Sequence, residues 1–310
     1  MRSPLLFLVL PLLACAASKT EASCTTGSDC ASGACGADGR CVLVDSGHGD
    51  AVVNDSGAAD SATTDSSSDA ARDVPSSGCT PNGDFVISPA ELPLGPGLRA
   101  TYRIAKSAPV DTAGVAQPDG TRKWDFSGAI AGDKDSLVET LSPAGAWWSG
   151  DFAGATYAVG LSSSSDLLGV FTLDAAALSL RGVVSPTSAA PQTKLTYATP
   201  IPALKLPLKL DLAWTATSNV SGTASGIGAF YTESYDVKVD AKGKVVTPFG
   251  EFSVLRLRTV LTRTVGVVPT VTRTYGFVAE CFGTVATLTS NSNESSAEFT
   301  TAAEIRRLAP

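Results

Sequence analysis

Residues 79–310 are predicted to form an all-β domain, on three observations. Apolar and polar residues alternate with a period of two. Leu98, Ala100, Tyr102 and Ile104 interleave with Arg99, Thr101 and Arg103, and Leu204, Leu206, Leu208, Leu210, Leu212 and Trp214 interleave with Lys205, Pro207, Lys209 and Asp211. Such a pattern presents one buried and one wet face. Pro and Gly punctuate the runs at hairpin spacing. No amphipathic helical pattern is long enough to stand alone, the best being 174–180.

Taken in order, strands are expected at 98–104, 137–141, 157–161, 169–173, 194–197, 204–214, 252–264, 271–278, 284–288 and 299–308. Tyr235, Val237 and Val239 run into Asp240–Gly243, read as a hairpin turn that leads out through Lys244 to Thr247. Pro207 cannot donate to a ladder, so an edge or bulge is expected there. About a dozen antiparallel strands curl or split into two layers. The expected shape is an antiparallel sandwich or a strongly curved half-barrel sheet.

The segment before this domain divides into four. Residues 1–14 carry Arg2, an apolar run from Leu5 to Leu13 and a small-residue ending, the pattern of a cleaved export signal too short to span a bilayer. Leu12, Leu13, Ala14 and Cys15 resemble a bacterial lipobox, which implies a lipidated N-terminus over 15–23 with the acyl chains on Cys15. Ala16 stands where an Asp would, by the same analogy, signal inner-membrane retention, so the resemblance implies the outer membrane. Cys24, Cys30, Cys35 and Cys41 fall within residues 24–41 among turn formers and almost no apolar residues. Cross-links alone can give such a segment shape, so two local disulfides of undetermined pairing are expected. Their spacing lacks a Cys-x2-Cys zinc knuckle.

Residues 42–78 carry seven Asp against Arg72, with Ser, Ala, Gly and Thr between, and are expected to be a disordered linker. The five-residue spacing of the carboxylates does not converge on a calcium ion. Cys79 and Cys281 remain, and with the quartet closed on itself they are expected to pair.

The chain of 310 residues has a formal charge of -7, almost all of it in the linker. From residue 81 onward acids and bases nearly balance, which argues against a nucleic-acid partner. His48 is the single His and lies in the linker, so no Ser-His-Asp, Cys-His or His-metal site can be built in the domain. Asp125, Glu139, Asp151, Glu233 and Glu280 are the carboxylates from which a hydrolytic pair would have to come. Gly95, Gly97 and Ala100 fit a dinucleotide motif on paper, but Pro96 and a following strand make the segment a turn.

Two features could contact a ligand. Arg256 and Arg258, with Arg263 and Arg273 on adjacent strands, could share a face that meets an anionic headgroup or glycan, or form the wet side of a sheet. Trp147 and Trp148, followed by Ser149 and Gly150, could sit at a loop tip and stack on sugar or dip into lipid, or pack into the core and its rim. No cofactor and no metal are implied.

The Cys24–Cys41 run resembles the Cys-rich modules near the N-terminus of Gram-negative surface lipoproteins. Lys123–Ser127, Leu206–Trp214, Val239–Arg258 and Tyr275–Gly283 are similar to segments of uncharacterised β domains in secreted and periplasmic bacterial proteins, which in turn resemble curved-sheet lipoprotein carriers. Together they imply an outer-membrane lipoprotein of the cell envelope, held at the membrane through its N-terminal lipid. The expected role is a non-enzymatic binding or structural module meeting a protein, glycan or lipid ligand. The alternative is a carrier of lipid or another apolar ligand.

Overall fold

The computed structural model describes residues 79–310; the leader, Cys15, the quartet Cys24, Cys30, Cys35 and Cys41, and the linker lie outside the described residues. The domain is all-β. A fourteen-stranded sheet begins with β2 (Arg99–Pro109), flanked by β5 (Lys134–Glu139) on one side and β16 (Thr301–Ala309) on the other. From β16 it steps through β15 (Gly283–Ser290), β14 (Val268–Ala279), β13 (Glu251–Val265) and β12 (Ile227–Val246). It continues through β11 (Ala213–Ala224), β9 (Lys194–Lys205), β8 (Ala177–Val184) and β7 (Ser165–Leu173) to β6 (Tyr157–Ser162). A separate pair joins β1 (Val86–Ile87) to β10 (Leu208–Lys209).

The sheet curls until its edges meet at one point and the β6–β7 turn reaches past the far edge to the third strand. Leu141, just past β5, exchanges both backbone hydrogen bonds with Ala158 of β6. At the other end Ser163, in the β6–β7 turn, donates its hydroxyl to Glu304 of β16 at 2.5 Å. The sheet is thus a nearly closed barrel, the strongly curved form of the expected class.

Register separates the two faces. The inner face gathers Val237, Val239, Leu255, Leu257 and Val278 against Tyr157, Leu178, Leu204 and Trp214, and Ile87, Leu92 and Leu208 plug this core at one end. Beyond the apolar filling the inner face turns polar, with Thr259, Thr274 and Thr289 aligned across β13, β14 and β15.

Two loops cover parts of the outer face. Trp148 and Phe152, on the 143–155 loop, pack on Ala158, Leu168, Val170 and Val184. On the opposite flank the 111–133 segment carries β3 (Val115–Ala116) and β4 (Arg122–Asp125) and lays Trp124 and Phe126 edge-on against Phe277. Gly114, at φ +67°, makes room there, since a Cβ would sit 2.4 Å from the Trp124 indole nitrogen. Arg307, fully buried, holds the end of this segment by donating to the carbonyls of Phe126 and Gly128 and to the Asp133 carboxylate.

Two expected elements differ. The stretch 235–246 is one continuous strand, and Asp240 is a bulge in it rather than the start of a turn. Gly243 sits mid-strand because β4 runs parallel beside it, where a Cβ would lie 1.8 Å from the Arg122 carbonyl oxygen. The actual turn is Thr247–Gly250, closed by hydrogen bonds in both directions. The alternating run 204–214 is also not one strand. It leaves β9 at Lys205, pairs as β10 with β1, and reverses at Asp211, φ +64°, before β11 begins. The weak helical window at 174–180 instead leads into β8.

Cys79 and Cys281 form a disulfide with Cα atoms 5.7 Å apart, tying the domain's first residue to the β14–β15 turn. Closing a loop of this length is worth about 5 kcal/mol in the chain-entropy model. Cys79→Ser with Cys281→Ser is therefore expected to cost about 3 to 5 kcal/mol, read as a fall in the urea midpoint with a steeper slope, because the unfolded chain loses its cross-link and exposes more surface.

Candidate functional site

The sequence-predicted ligand contacts are held in the fold's own structure. Trp148 is buried, and Trp147 is half-buried with its indole N–H donated to the Ser185 carbonyl, so the pair packs the β6–β8 flank instead of standing out as a tip. Arg256 is buried with its guanidinium fully engaged. It forms a bidentate pair with Asp240 at 2.8 and 3.0 Å, bonds Glu298 and the Thr112 carbonyl, and lies over the Tyr275 and Trp124 rings. Burial works against its charge, but the two carboxylates outweigh this and hold its pKa above the usual arginine value. Tyr275, beneath it, is pushed up to about 12, chiefly by burial.

Arg258 is half-buried, 3.6 Å from Asp236, with its Nε buried and unpartnered. Arg273 shares this outer face and donates to the Glu294 carbonyl. Arg263 does not share it. An odd position on β13 points inward where 256 and 258 point outward, a consequence of the strand period.

The five acids considered for hydrolysis have separate partners. Asp125 bonds Ser127, Glu139 pairs with Arg99, Asp151 with Lys194 and Glu233 with Arg263, while Glu280 accepts the backbone N–H groups of Asn82 and Gly83. Glu280 borders a cleft of about 470 Å³ beside the disulfide, rimmed by Phe249, Phe252 and Phe282. The other acid on that cleft, Glu251, is engaged by Lys244 and Lys123.

The end of the barrel opposite the disulfide is built differently. The β11–β12 turn at Ser225–Gly226 and the β13–β14 turn at Gly266–Val267 lie at the same end of neighbouring strands, the first reaching further because β12 runs on to Ile227 past the last β12–β13 pair at Thr232–Thr264, and the β8–β9 loop leans on it through a Gly226 N–H bond to the Gln192 carbonyl. Ile227, Phe230, Val265, Val267 and Val268 are between 56% and 92% exposed on these tips. Residues 182–193, 212–232 and 264–272 contain no Asp, Glu, Lys, Arg or His.

A polar clamp lies directly beneath. Glu233 of β12, 0% exposed, accepts hydrogen bonds from Tyr197 of β9 and Tyr235 of β12, both at 2.6 Å, and pairs with Arg263 of β13 at 2.7 Å. Arg263 is half exposed and lies over the Tyr231 ring. Burial works against its charge, and Glu233 outweighs this to hold its pKa above the usual value. Tyr197 and Tyr235 are held far above the ordinary phenol value, first by burial and then by the carboxylate.

Glu233 was legible as a carboxylate, but its partners were not, because the register that brings three strands to it is set by hairpins far apart in sequence. The tips were missed altogether. Their one sequence signal is the long run of residues without a charge on either side of Gly226 and Gly266.

Fold and site together define a nearly closed β-barrel domain with a plugged, cross-linked end and an apolar, clamped end. Comparison of the chain with protein-family models, with curated protein sequences and with solved structures finds no match.

Two outcomes follow for the clamp. Glu233→Ala deprives two phenols of their acceptor and is expected to cost about 2 to 4 kcal/mol by urea denaturation. The unfolded chain ionises its tyrosines near pH 10, whereas the folded chain keeps Tyr197 and Tyr235 neutral. Stability is thus full below about pH 10 and declines as pH rises beyond it. Tyr197→Phe is expected to make that alkaline decline shallower, measured as urea midpoints between about pH 8 and pH 11.

Proposed function

We propose that this protein is a lipid-anchored, non-enzymatic interaction module of the bacterial cell envelope, and that it meets its partner through the apolar end of the barrel. The observation that carries the reading is the set of five large apolar side chains left exposed on two adjacent hairpin tips and backed by a rigid clamp. Folded monomers seldom leave this many large apolar side chains open at one end unless they are used.

The filled inner core supports contact at the surface over an enclosed ligand, since its gathered side chains are nearly all buried. The dispersed carboxylates, each with its own partner, support a binding role over hydrolysis. The attachment rests on the lipobox-like residues ending in Cys15 and on the linker of 42–78, which would let the domain stand off the membrane.

A photo-crosslinking residue at Val267 tests the contact in intact cells, with a second at exposed Lys134, on the β5 edge, as control. Adducts are expected from 267 and not from 134; equal labelling at both positions would discard the apolar end as the interface. For the anchor, labelled fatty acid fed to the cells is expected to enter the protein and to be lost with Cys15→Ser, and a chain that takes up no label would remove the acyl attachment.

A further inference from the structure

The chemistry of the apolar end specifies a partner more closely, and this step rests on the interaction reading above. We propose that the hairpin tips Ser225–Gly226 and Gly266–Val267 seat in the surface of a lipid bilayer, with Ile227, Phe230, Val267 and Val268 among the acyl chains.

Shape favours this occupant. The apolar residues stand on two projecting turns, and a wedge suits a fluid surface that needs no matching pocket. A stable protein interface takes about 800 Å² and 20 to 30 residues from each side. Two tips with five apolar side chains fall short of that, whereas a bilayer takes up individual side chains.

Backbone chemistry agrees. The β11–β12 ladder runs to Ala224 and Ile227, and the β13–β14 ladder to Val265 and Val268, so each turn leaves only two residues outside the ladder. The Gly226 N–H of one turn is already bonded to Gln192. Within each hairpin the backbone thus stays paired up to the turn, which lowers the cost of placing it in lipid, while β12 from Ile227 to Tyr231 runs past its last pair with β13 at Thr232–Thr264.

Charge agrees as well. No acid lies within 182–193, 212–232 or 264–272, and the first basic residue back from the β13–β14 tip is Arg263. Its half-exposed side chain, steadied by Glu233 and Tyr231, sits where an arginine reaches headgroup phosphates while its stem lies along apolar surface. Arg273 borders the same hairpin on the outer face.

The test uses the full chain carrying Cys15→Ser, so that no acyl group contributes, and vesicles of phosphatidylethanolamine with a minority of phosphatidylglycerol. Flotation with the vesicles is expected, and Phe230→Asp with Val267→Asp is expected to weaken it by more than about tenfold. The thermal midpoint should not change, since both side chains are exposed. A Val267→Trp reporter is expected to shift to the blue and be quenched by brominated acyl chains, while Phe282→Trp at the opposite end is not.

Flotation that the two Asp substitutions leave unchanged, or a reporter at 267 that stays in water, overturns the bilayer assignment. So does a dimer at sedimentation equilibrium that Val267→Asp dissociates. If crosslinks from 267 to an envelope protein persist without vesicle binding, the apolar end remains the interface and the lipid assignment alone fails. If neither appears, both readings fall.

Discussion

One extra residue sets where the longest strand bends and changes partner. At Asp240, β12 carries a bulge that shifts its pairing with β13 by one position, so that Val239 faces inward opposite Leu257 while Ala241 faces outward opposite Arg256. A bulge bends its strand and sharpens the local twist. Here it also marks where β12 leaves one neighbour for another, pairing with β11 up to Lys238 and with parallel β4 from Gly243. The Asp240 carboxylate is then free to grip Arg256, which reaches on to Glu298 and the Thr112 carbonyl. One ion pair thereby joins the bulge, the 111–133 cover and the 291–300 loop. Pairs this deeply buried seldom add net stability over an apolar packing, but they penalise wrong arrangements. We read Asp240 and Arg256 as fixing where the sheet bends.

What could be read from the sequence follows from which constraints are local. Period-two runs such as 252–264 and 271–278 are strands in the structure, because each side chain's neighbours lie within its own hairpin. The misread segments are those whose chemistry serves a distant partner. Asp240 and Gly243 carry the composition of a turn, yet one answers to Arg256 and the other to the backbone of Arg122. Leucines 204 to 212 alternate perfectly but lie on β9, on β10 and in the turns around it, and Leu208 plugs the barrel. The arginines of β13 and β14 were legible as a group. Their division into an outer set and inward Arg263 follows from parity once the register is known. Cys79 and Cys281 could be expected to pair because the other thiols cluster together near the N-terminus, a reading that needs no geometry.

The two ends of the barrel have opposite characters. One is closed by Ile87, Leu92 and Leu208 and sealed covalently at Cys281; the other ends in bare hairpin turns over the Glu233 clamp. The twelve residues of β14 run from Val268 to Ala279, a span of about 36 Å of extended strand. The chain preceding Cys79 thus joins the domain at the face farthest from the exposed apolar tips, and whatever those tips meet lies on the far side from the point of entry.

The cross-link at that entry point also decides how the domain responds to mechanical load. Tension applied through the residues before Cys79 passes directly to Cys281, bypassing the intervening polypeptide. The segment 80–280 hangs as a slack loop with respect to that pull, and β1 and the 81–94 plug cannot be peeled away from the N-terminal side. The load falls instead on the β14–β15 turn near the middle of the sheet, where strands on both sides must slide together before any can part.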